Sequence, residues 1–398
     1  MKRPSAVAAT LLGLLAAAAS AAFVIPGFEL VYTAPAETAL LQPDLRPPAE
    51  VWAEMFASAR ESIDIAEFYV TNKPGEALEP VLAELKKAGE RGVRIRFLAE
   101  KKMAKNSAEG FELLQKIKNL ELRVLAFSDV KPDGIIHAKY FVVDRKAAYV
   151  GSQNFDWRSL KHIHELGLRI TQADIVKNVE AVFEADWRAY ERIAAGRPAA
   201  ALNKSRPVAD QSPKAYLVAS PWAFNPPGVG DSEGELVRLI DGAREEVAVQ
   251  LLDYAPLTRR HRFYPPIDNA LRDAAARGVR VRLLVSHWNT EHPAIEHLKS
   301  LSLLPGVEIR IATIPEAKEG PIAFARVNHS KYMVVDRKIL WLGTSNWSGG
   351  YLDNSRNLEL VIRDEALAGK ALALHAQLWD SAYAEKIDVA KDYPKPRR

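Results

Sequence analysis

The spacing of hydrophobic and polar residues predicts strands that alternate with helices. Residues 62–70 alternate as a strand does, residues 76–90 carry apolar side chains at helical intervals, and residues 93–98 form a further apolar run. A similar order returns further along the chain, at residues 247–252, 267–277 and 279–285. Strands interleaved with helices predict an α/β fold in which a mixed sheet is flanked by helices.

The chain also repeats short stretches of its own sequence. Ala59-Arg-Glu returns 184 positions later at Ala243, and Arg91-Gly-Val-Arg returns 186 positions later at Arg277. A period this long indicates two duplicated halves rather than a solenoid of short repeats. We therefore expect halves at residues 29–195 and 215–398, joined by a linker at 196–214 that is rich in Pro, Ala and polar residues.

A small polar cluster occurs once in each half with the same internal spacing, H-x-K-x(4)-D-x(6)-G-[ST]-x-N. Residues two apart in a strand face the same side, so the His and Lys of each copy are expected to project together. A cation beside an imidazole suits a phosphodiester, because its anionic oxygens must be neutralised before attack. The first copy supplies His137, Lys139, Asp144, Ser152 and Asn154, and the second supplies His329, Lys331, Asp336, Ser345 and Asn346.

The doubled cluster resembles the paired HKD motif of the phospholipase D superfamily. The resemblance covers nearly all of the chain after residue 28. It implies two similar α/β halves packed as a pseudo-twofold pair around one shared active site. Several segments are similar to the branch that contains the lysosomal single-strand 5′-exonucleases and related phospholipase D-like proteins, namely residues 62–69, 154–160, 327–333, 343–348 and 379–381.

The resemblance also implies a division of labour between the two motifs. A neutral His137 attacks phosphorus and becomes a phosphohistidine, while a protonated His329 donates to the leaving oxygen and then activates water. This assignment follows the usual order in the family, and the sequence alone does not distinguish the two histidines. The groups expected to bind the phosphate oxygens are Lys139, Lys331, Asn154, Asn346, Ser152 and Ser345.

Carboxylates are expected to hold the histidine rings. In the family, the Asp of each motif contacts a histidine, mostly that of the opposite half, which assigns this role to Asp144 and Asp336. A later N-x-E element supplies a glutamate that also supports a motif histidine. The second half has this element as Asn357-Leu-Glu359, whereas the first half has Ile163-His-Glu165 and lacks the Asn. Glu165 and Glu359 are therefore the expected supporting pair.

Composition narrows the chemistry. The chain has no cysteine, which excludes disulfides, thiolate catalysis and cysteine-ligated zinc. Its net charge of +4 and pI near 9.0 are compatible with an anionic substrate. The chemistry implied by the motifs needs no metal and no cofactor. His162 and His164 form an H-x-H pattern that either binds a metal or consists of ordinary residues near the site.

Residues 1–28 predict a targeting segment. Lys2 and Arg3 precede an uncharged stretch that extends to residue 28, and Ala19-Ser-Ala matches the small-residue pattern of a cleavage site. We expect export to the periplasm or the medium through a cleaved signal peptide. The alternative is an uncleaved N-terminal membrane anchor, because the run is long enough to cross a bilayer.

Three functions stay open at this level. The first is hydrolysis of single-stranded nucleic acid from an end, and the second is phospholipid headgroup hydrolysis or phosphatidyl transfer. The third is non-catalytic binding of an anionic ligand. The run Arg259-Arg-His-Arg262 is either a contact for anionic substrate or a solvated loop, and Pro221-Trp-Ala-Phe224 is a candidate membrane-touching loop. The sequence does not predict the oligomeric state.

Overall fold

A computed structural model describes residues 21–398, which form two halves of the same design. Strands of the first half are β1 (Val24–Ile25), β2 (Phe28–Thr33), β3 (Ser62–Glu67), β4 (Val70–Thr71), β5 (Arg94–Glu100), β6 (Leu120–Leu125), β7 (Tyr140–Val143), β8 (Ala147–Gly151), β9 (Phe155–Asp156) and β10 (Glu165–Ile170). Its helices are α1 (Pro48–Ser58), α2 (Glu79–Glu90), α3 (Ala108–Gln115) and α4 (Ala173–Ala194).

The second half repeats this series. Its strands are β11 (Ala215–Ser220), β12 (Gly230–Asp231), β13 (Glu246–Leu251), β14 (Tyr254–Ala255), β15 (Arg280–Ser286), β16 (Val307–Ala312), β17 (Tyr332–Val335), β18 (Ile339–Gly343), β19 (Trp347–Ser348), β20 (Asn357–Arg363) and β21 (Ala384–Lys386). Its helices are α5 (Ser232–Asp241), α6 (Pro266–Ala276), α7 (Ala294–Ser302) and α8 (Glu365–Trp379).

Each half is built on one mixed sheet. The strand orders are β1-β2-β10-β8-β7-β3-β5-β6 and β12-β11-β20-β18-β17-β13-β15-β16-β21. The strands β3, β5 and β6 are parallel, as are their counterparts β13, β15 and β16, whereas β7, β8 and β10 pair antiparallel. The predicted α/β class with a mixed sheet in each half is therefore confirmed.

Two predicted element boundaries move for local reasons. The helix expected from residue 76 begins at Glu79, because Pro80 is compatible only with the first turn of a helix. The strand expected over residues 62–70 ends at Glu67. Val70 instead starts the short strand β4, which pairs in parallel with β9 at Phe155, just after the first motif. The two strands form a separate small sheet.

A single apolar core joins the two halves. Inner-face residues of both sheets, such as Leu168 and Leu342, pack with α4 and α8 side chains such as Phe183 and Leu374. Separate cores lie under the outer helices, with α1 and α2 covering the first sheet and α5, α6 and α7 covering the second. The halves are thus joined by buried apolar surface, which is the main favourable contribution to such a contact.

The first half begins earlier in the chain than expected. The predicted targeting segment lies mostly outside the described residues, but its last residues do not, since β1 pairs with β2 at the edge of the first sheet. The folded half therefore includes Val24 and does not start at residue 29. No helix within residues 21–398 is long and apolar enough to cross a membrane.

The segment between the halves, residues 195–214, has no helix or strand and is tied to the second half. Leu202 N donates to Ala223 O at 2.7 Å, and Asn203 Nδ2 donates to Trp222 O at 2.9 Å. These bonds leave Trp222, Ala223 and Phe224 half-buried. The proposed membrane-touching segment therefore does not form an exposed apolar loop.

A buried histidine predicts a pH dependence of stability. His375 on α8 is fully buried, its Nε2 lies 3.2 Å from Val249 O, and burial lowers its pKa to about 3. In the unfolded chain its pKa is about 6.5, so its contribution to stability is lost as pH falls below that value. Between pH 7 and pH 5 the free energy of unfolding should fall by about 2 kcal/mol more in the wild type than in His375→Gln. Urea titrations at both pH values measure this difference, and an equal loss in both proteins would contradict it.

Candidate active site

The two motifs meet at a seam where each half supplies backbone partners to the other. His137 N donates to Arg356 O at 2.9 Å, and His329 N donates to His164 O at 2.9 Å. The donors are 192 residues apart, and so are the acceptors. This equal offset gives the contact an approximate twofold symmetry. Each motif histidine is thus positioned by a strand of the opposite half.

The ring of His137 is held by a neutral amide. Its Nδ1 lies 3.0 Å from Asn357 Oδ1. The amide is oriented by two further bonds, because Thr344 Oγ1 donates to Oδ1 at 2.9 Å and Asn357 Nδ2 donates to Tyr351 O at 3.0 Å. Oδ1 is therefore an acceptor, so Nδ1 of His137 carries the proton and Nε2 keeps its lone pair.

The ring of His329 is held by a carboxyl group instead. Its Nδ1 lies 2.8 Å from Glu165 Oε2. Ser159 Oγ donates to the other oxygen of Glu165 and also accepts from Asn154 N at 3.0 Å. Burial raises the pKa of Glu165 to about 7. Near neutral pH the Glu165–His329 pair therefore has a proton to share, whereas Asn357 has no titratable group to add to His137.

Strand register corrects the expected pairing of the two glutamates. Ser152 N donates to Leu166 O, and the corresponding Thr344 N donates to Leu358 O. Glu165 therefore corresponds to Asn357, again with an offset of 192, and the Glu359 position corresponds to Gly167. The Asn of the first half had seemed to be missing because Glu165 was matched to Glu359, two residues beyond its true counterpart.

The expected support of a histidine by Glu359 is wrong. Its carboxyl accepts from Ser232 Oγ and Ser345 Oγ, and burial raises its pKa to about 7. No histidine contacts it among the described residues. Ser345 is correspondingly engaged away from any substrate. Ser152 is engaged too, since its Oγ donates to Leu166 O at 3.2 Å and accepts from Leu166 N at 3.0 Å, so neither serine hydroxyl is free to donate to phosphate as predicted.

The expected contact of the motif aspartates with a histidine ring is also wrong. Asp144 accepts from the backbone N–H groups of Arg60, Glu61 and Ser62 at 2.7–2.9 Å. Asp336 makes the corresponding bonds at 2.8–3.0 Å to residues 244–246. Burial opposes ionisation of Asp144, but the three donors outweigh it and lower its pKa.

Geometry explains why the aspartates cannot reach the histidines. Asp144 and Arg145 both have positive φ angles, 51° and 57°, as the central residues of a tight hairpin turn. That turn lies at the far end of β7 from His137. Seven residues of extended chain span about 23 Å, which no aspartate side chain can bridge. Asp144 and Asp336 therefore fix the hairpin to the start of β3 and β13.

The two motif lysines converge on the histidines. Both are fully buried, and Lys331 Nζ donates to His329 O at 2.5 Å, while Lys139 Nζ donates to His137 O. Burial lowers the pKa of Lys139 to about 7 and that of Lys331 well below its usual value. Burial and both lysines also lower the pKa of each histidine, so each lysine lies close to the histidine of the opposite half.

Three carboxyl groups favour the charged forms of these lysines. Fully buried Glu67 acts on Lys139, followed by Glu165, whereas Lys331 is favoured first by Glu165 and then by Asp253. Burial in turn raises the pKa of Glu67 well above its usual value and that of Asp253 as well. A phosphodiester anion between the lysines would add the negative charge that keeps both protonated.

The two motif asparagines are also buried polar residues of the site. Asn154 and Asn346 are buried, and the Oδ1 atom of each has no hydrogen-bond partner within the described residues. The phenol of Tyr351 lies beside Asn346, and its ring is 4.8 Å from that of His137 in an edge-on arrangement. Their expected binding of the phosphate oxygens stays a prediction.

The H-x-H pattern has two separate surroundings. His164 is buried at the seam with Nδ1 2.9 Å from Ser330 Oγ, whereas His162 packs its ring against Trp157. No group of three or more His, Asp or Glu side chains within residues 21–398 is arranged to hold a metal ion.

Several site residues escaped the sequence analysis. Asn357 was noticed only as part of an N-x-E element, and Tyr351, Glu67, Asp253 and Arg356 were not assigned to the site. The constant offset of 192 residues, applied from Glu165, leads directly to Asn357. Glu67 and Asp253 have no such signal, because the corresponding residues in the other half are Leu251 and Tyr69.

Comparison with known proteins agrees with this arrangement. A family model described as "Cardiolipin synthase, PLD-like domain" matches residues 53–187 and 236–379. The 5′-3′ exonuclease PLD3 of Xenopus laevis is 33% identical over 378 residues, covering 84% of this chain and 75% of that protein. Phospholipase D Z of Dictyostelium discoideum is 32% identical over 364 residues, covering 84% of this chain and 85% of that protein.

A solved structure supports the fold independently. The phosphatidylserine synthase of Haemophilus influenzae superposes with a TM-score of 0.63 at 14% sequence identity, covering 85% of each chain. The doubled H-x-K cluster, the twofold seam and the matched family model lead to one conclusion: this chain belongs to the phospholipase D-like family of phosphodiesterases.

Proposed function

We propose that this protein is a metal-independent phosphodiesterase that hydrolyses single-stranded nucleic acid from an end. The observation that carries the proposal is the unequal support of two symmetric histidines, a carboxyl at His329 and an amide at His137. The nucleic-acid substrate is supported by the similarity over 84% of the chain to a protein named 5′-3′ exonuclease PLD3.

The unequal support gives each histidine a role. His137 has a fixed Nδ1–H tautomer, so its Nε2 attacks phosphorus and the bond to the leaving oxygen breaks. His329 shares a proton with Glu165 and donates it to that oxygen. His329 then removes a proton from water, the water oxygen attacks phosphorus, and the bond from phosphorus to His137 Nε2 breaks. Lys139 and Lys331 neutralise the non-bridging oxygens throughout.

Glutamine at position 165 tests the proton-sharing pair. The amide preserves the shape of the side chain but cannot raise the pKa of His329. The imidazolium of His329, which is the proton donor, therefore loses its proton at a lower pH. We expect kcat of Glu165→Gln to fall about 100-fold and the alkaline limb of its pH–rate profile to move to lower pH. Glu359→Gln is the matched control, because within residues 21–398 the hydrogen bonds of that buried carboxyl come from Ser232 and Ser345 and from no histidine. Equal effects of the two substitutions would contradict the role of Glu165.

A second candidate function is phospholipid headgroup hydrolysis or transfer. It is favoured by the 32% identity to a protein named phospholipase D Z. The two candidates are separated by incubating the full chain in EDTA with end-labelled single-stranded DNA and, in parallel, with phosphatidylcholine vesicles. Cleavage of DNA alone supports the proposal. Choline release alone overturns it in favour of the lipid enzyme, and loss of DNA cleavage in EDTA overturns the metal-independent mechanism.

We also propose export, based on the targeting pattern of residues 1–28. Expression of the full chain followed by fractionation and N-terminal sequencing of the product tests it. A periplasmic or secreted product that begins shortly after residue 21 supports cleavage. A membrane-bound product with Met1 or Lys2 at its start supports the anchor, and a cytoplasmic product overturns both.

A further inference from the structure

A cavity of 390 Å³ opens beside the catalytic pair on the side of the second half. Asp253 and Tyr351 form its inner wall, and Arg259, Trp288 and Arg398 line the remainder. The inner wall belongs to the active site, because Tyr351 packs against the ring of His137 and Asp253 lies near Lys331. A substrate group bound in this cavity would therefore be a near neighbour of the phosphate under attack.

Arg259 is fixed in this cavity by neutral partners. Its Nη2 donates to Ser355 Oγ at 3.2 Å, and its guanidinium lies 5.7 Å from the ring centroid of Tyr351. Gly350 makes room for it, since a Cβ at that position would approach Arg259 Nε to 2.8 Å. No salt bridge involves Arg259 in the part of the chain that the structure describes. Its charge is therefore available to an anion.

Two other arginines of the loop and cavity are already paired. Arg260 forms a salt bridge of 3.3 Å with Asp133 of the first half and is 72% exposed. Arg398 pairs with Glu291 and lies over the ring of Trp288. Arg262 also forms no salt bridge within the described residues, but among the three arginines of the run Arg259-Arg-His-Arg262 it is Arg259 that lines the cavity.

We propose that Arg259 binds the phosphate adjacent to the scissile one, so that the cavity selects a substrate with successive phosphates. This inference rests on the proposed nuclease function and extends it. A nucleic-acid strand presents a second anion next to the reacting phosphate, and a guanidinium is well suited to bind it through two N–H groups. A phosphatidylcholine molecule has a single phosphate and would gain nothing from Arg259.

Steady-state kinetics of Arg259→Ala on two substrates tests this inference. Single-stranded oligothymidylate has successive phosphates, whereas bis(p-nitrophenyl) phosphate has only the scissile one. We expect KM for the oligonucleotide to rise about 10-fold or more, the loss expected for one charge-assisted hydrogen bond, while kinetics on the small ester change less than about twofold. The dependence of log KM on log salt should also become shallower by about 0.7, because one phosphate contact is lost.

Arg260→Ala is the matched control, since it removes the same charge from the same loop at a paired position. It should change KM for either substrate less than about twofold. An unchanged oligonucleotide KM in Arg259→Ala, or an equal loss on both substrates, overturns the role of Arg259 while leaving the nuclease function intact. A wild-type protein that cleaves the small ester but no oligonucleotide overturns the nuclease function and this inference together.

Discussion

Replacing His137 or His329 with alanine is expected to lower kcat on single-stranded DNA by about 10⁴-fold, because each removes a group that forms or breaks a bond. His137→Ala removes the nucleophile, and His329→Ala removes the proton donor and the base that activates water. Each ring contacts a side chain of the opposite half, Asn357 for His137 and Glu165 for His329. The two losses should not add in the double variant, since both histidines serve the same turnover.

His297→Ala is the control for the loss of a histidine outside the site. His297 lies on α7 and stacks on Phe263, so kcat should stay within about twofold of the wild type. Rates are measured with end-labelled DNA in EDTA, and circular dichroism verifies that each variant is folded. A folded His137→Ala protein with wild-type kcat would exclude a catalytic role and favour the anionic-ligand-binding function.

Replacing Arg356 with methionine is expected to cost about 3–5 kcal/mol of stability, because it leaves a buried carboxylate without its partner. The Arg356 side chain is fully buried and its Nε lies 2.8 Å from Asp186 on α4. Its other nitrogens donate to Ser220 O at 2.9 Å and to Phe224 O at 3.1 Å. This side chain therefore connects the first half, the segment after β11 and the strand that holds His137.

Two further variants separate the ion pair from general damage to the core. The double variant Arg356→Met with Asp186→Leu leaves no unpaired charge and should recover most of the lost stability. Arg260→Met breaks an exposed salt bridge of 3.3 Å with Asp133 and should cost at most about 1 kcal/mol. Urea denaturation measures all three. Equal losses for Arg356→Met and the double variant would show that packing, and not the buried charge, sets the cost.

The sequence was sufficient for the fold class because the relevant patterns are local. Strand and helix periodicities of 2 and 3.6 residues depend on burial of one face, and the structure has mixed sheets flanked by helices as predicted. Two predicted element boundaries were wrong. The helix begins at Glu79 because Pro80 belongs in the first turn of a helix, and the strand ends before Val70 because Val70 pairs with the distant strand β9. No periodicity in residues 62–70 could reveal the pairing with Phe155.

In the active site, the positions of the histidines and lysines were predicted better than the contacts of the carboxylates. The H-x-K spacing predicted that each lysine lies beside its histidine, and the structure brings both pairs to the seam, although the triplets precede β7 and β17 and do not lie within a strand. The expected contacts of the aspartates were wrong because seven residues of extended chain separate each aspartate from its histidine. The expected contact of Glu359 was wrong because the register between β18 and β20 decides which residue reaches the seam, and register is set by packing across the whole sheet.

If one active site spans both halves with His137 as nucleophile and His329 as acid and base, the full-length His329→Ala variant should stop at the covalent intermediate. The substrate for this measurement is bis(p-nitrophenyl) phosphate, whose leaving group needs no proton. We expect a burst of about one nitrophenolate per protein, a stalled second step, and a nitrophenyl phosphoryl group on His137 that is mapped by mass spectrometry under alkaline conditions. No burst from this variant, together with a burst from His137→Ala and a phosphoryl group on His329, would contradict the assignment.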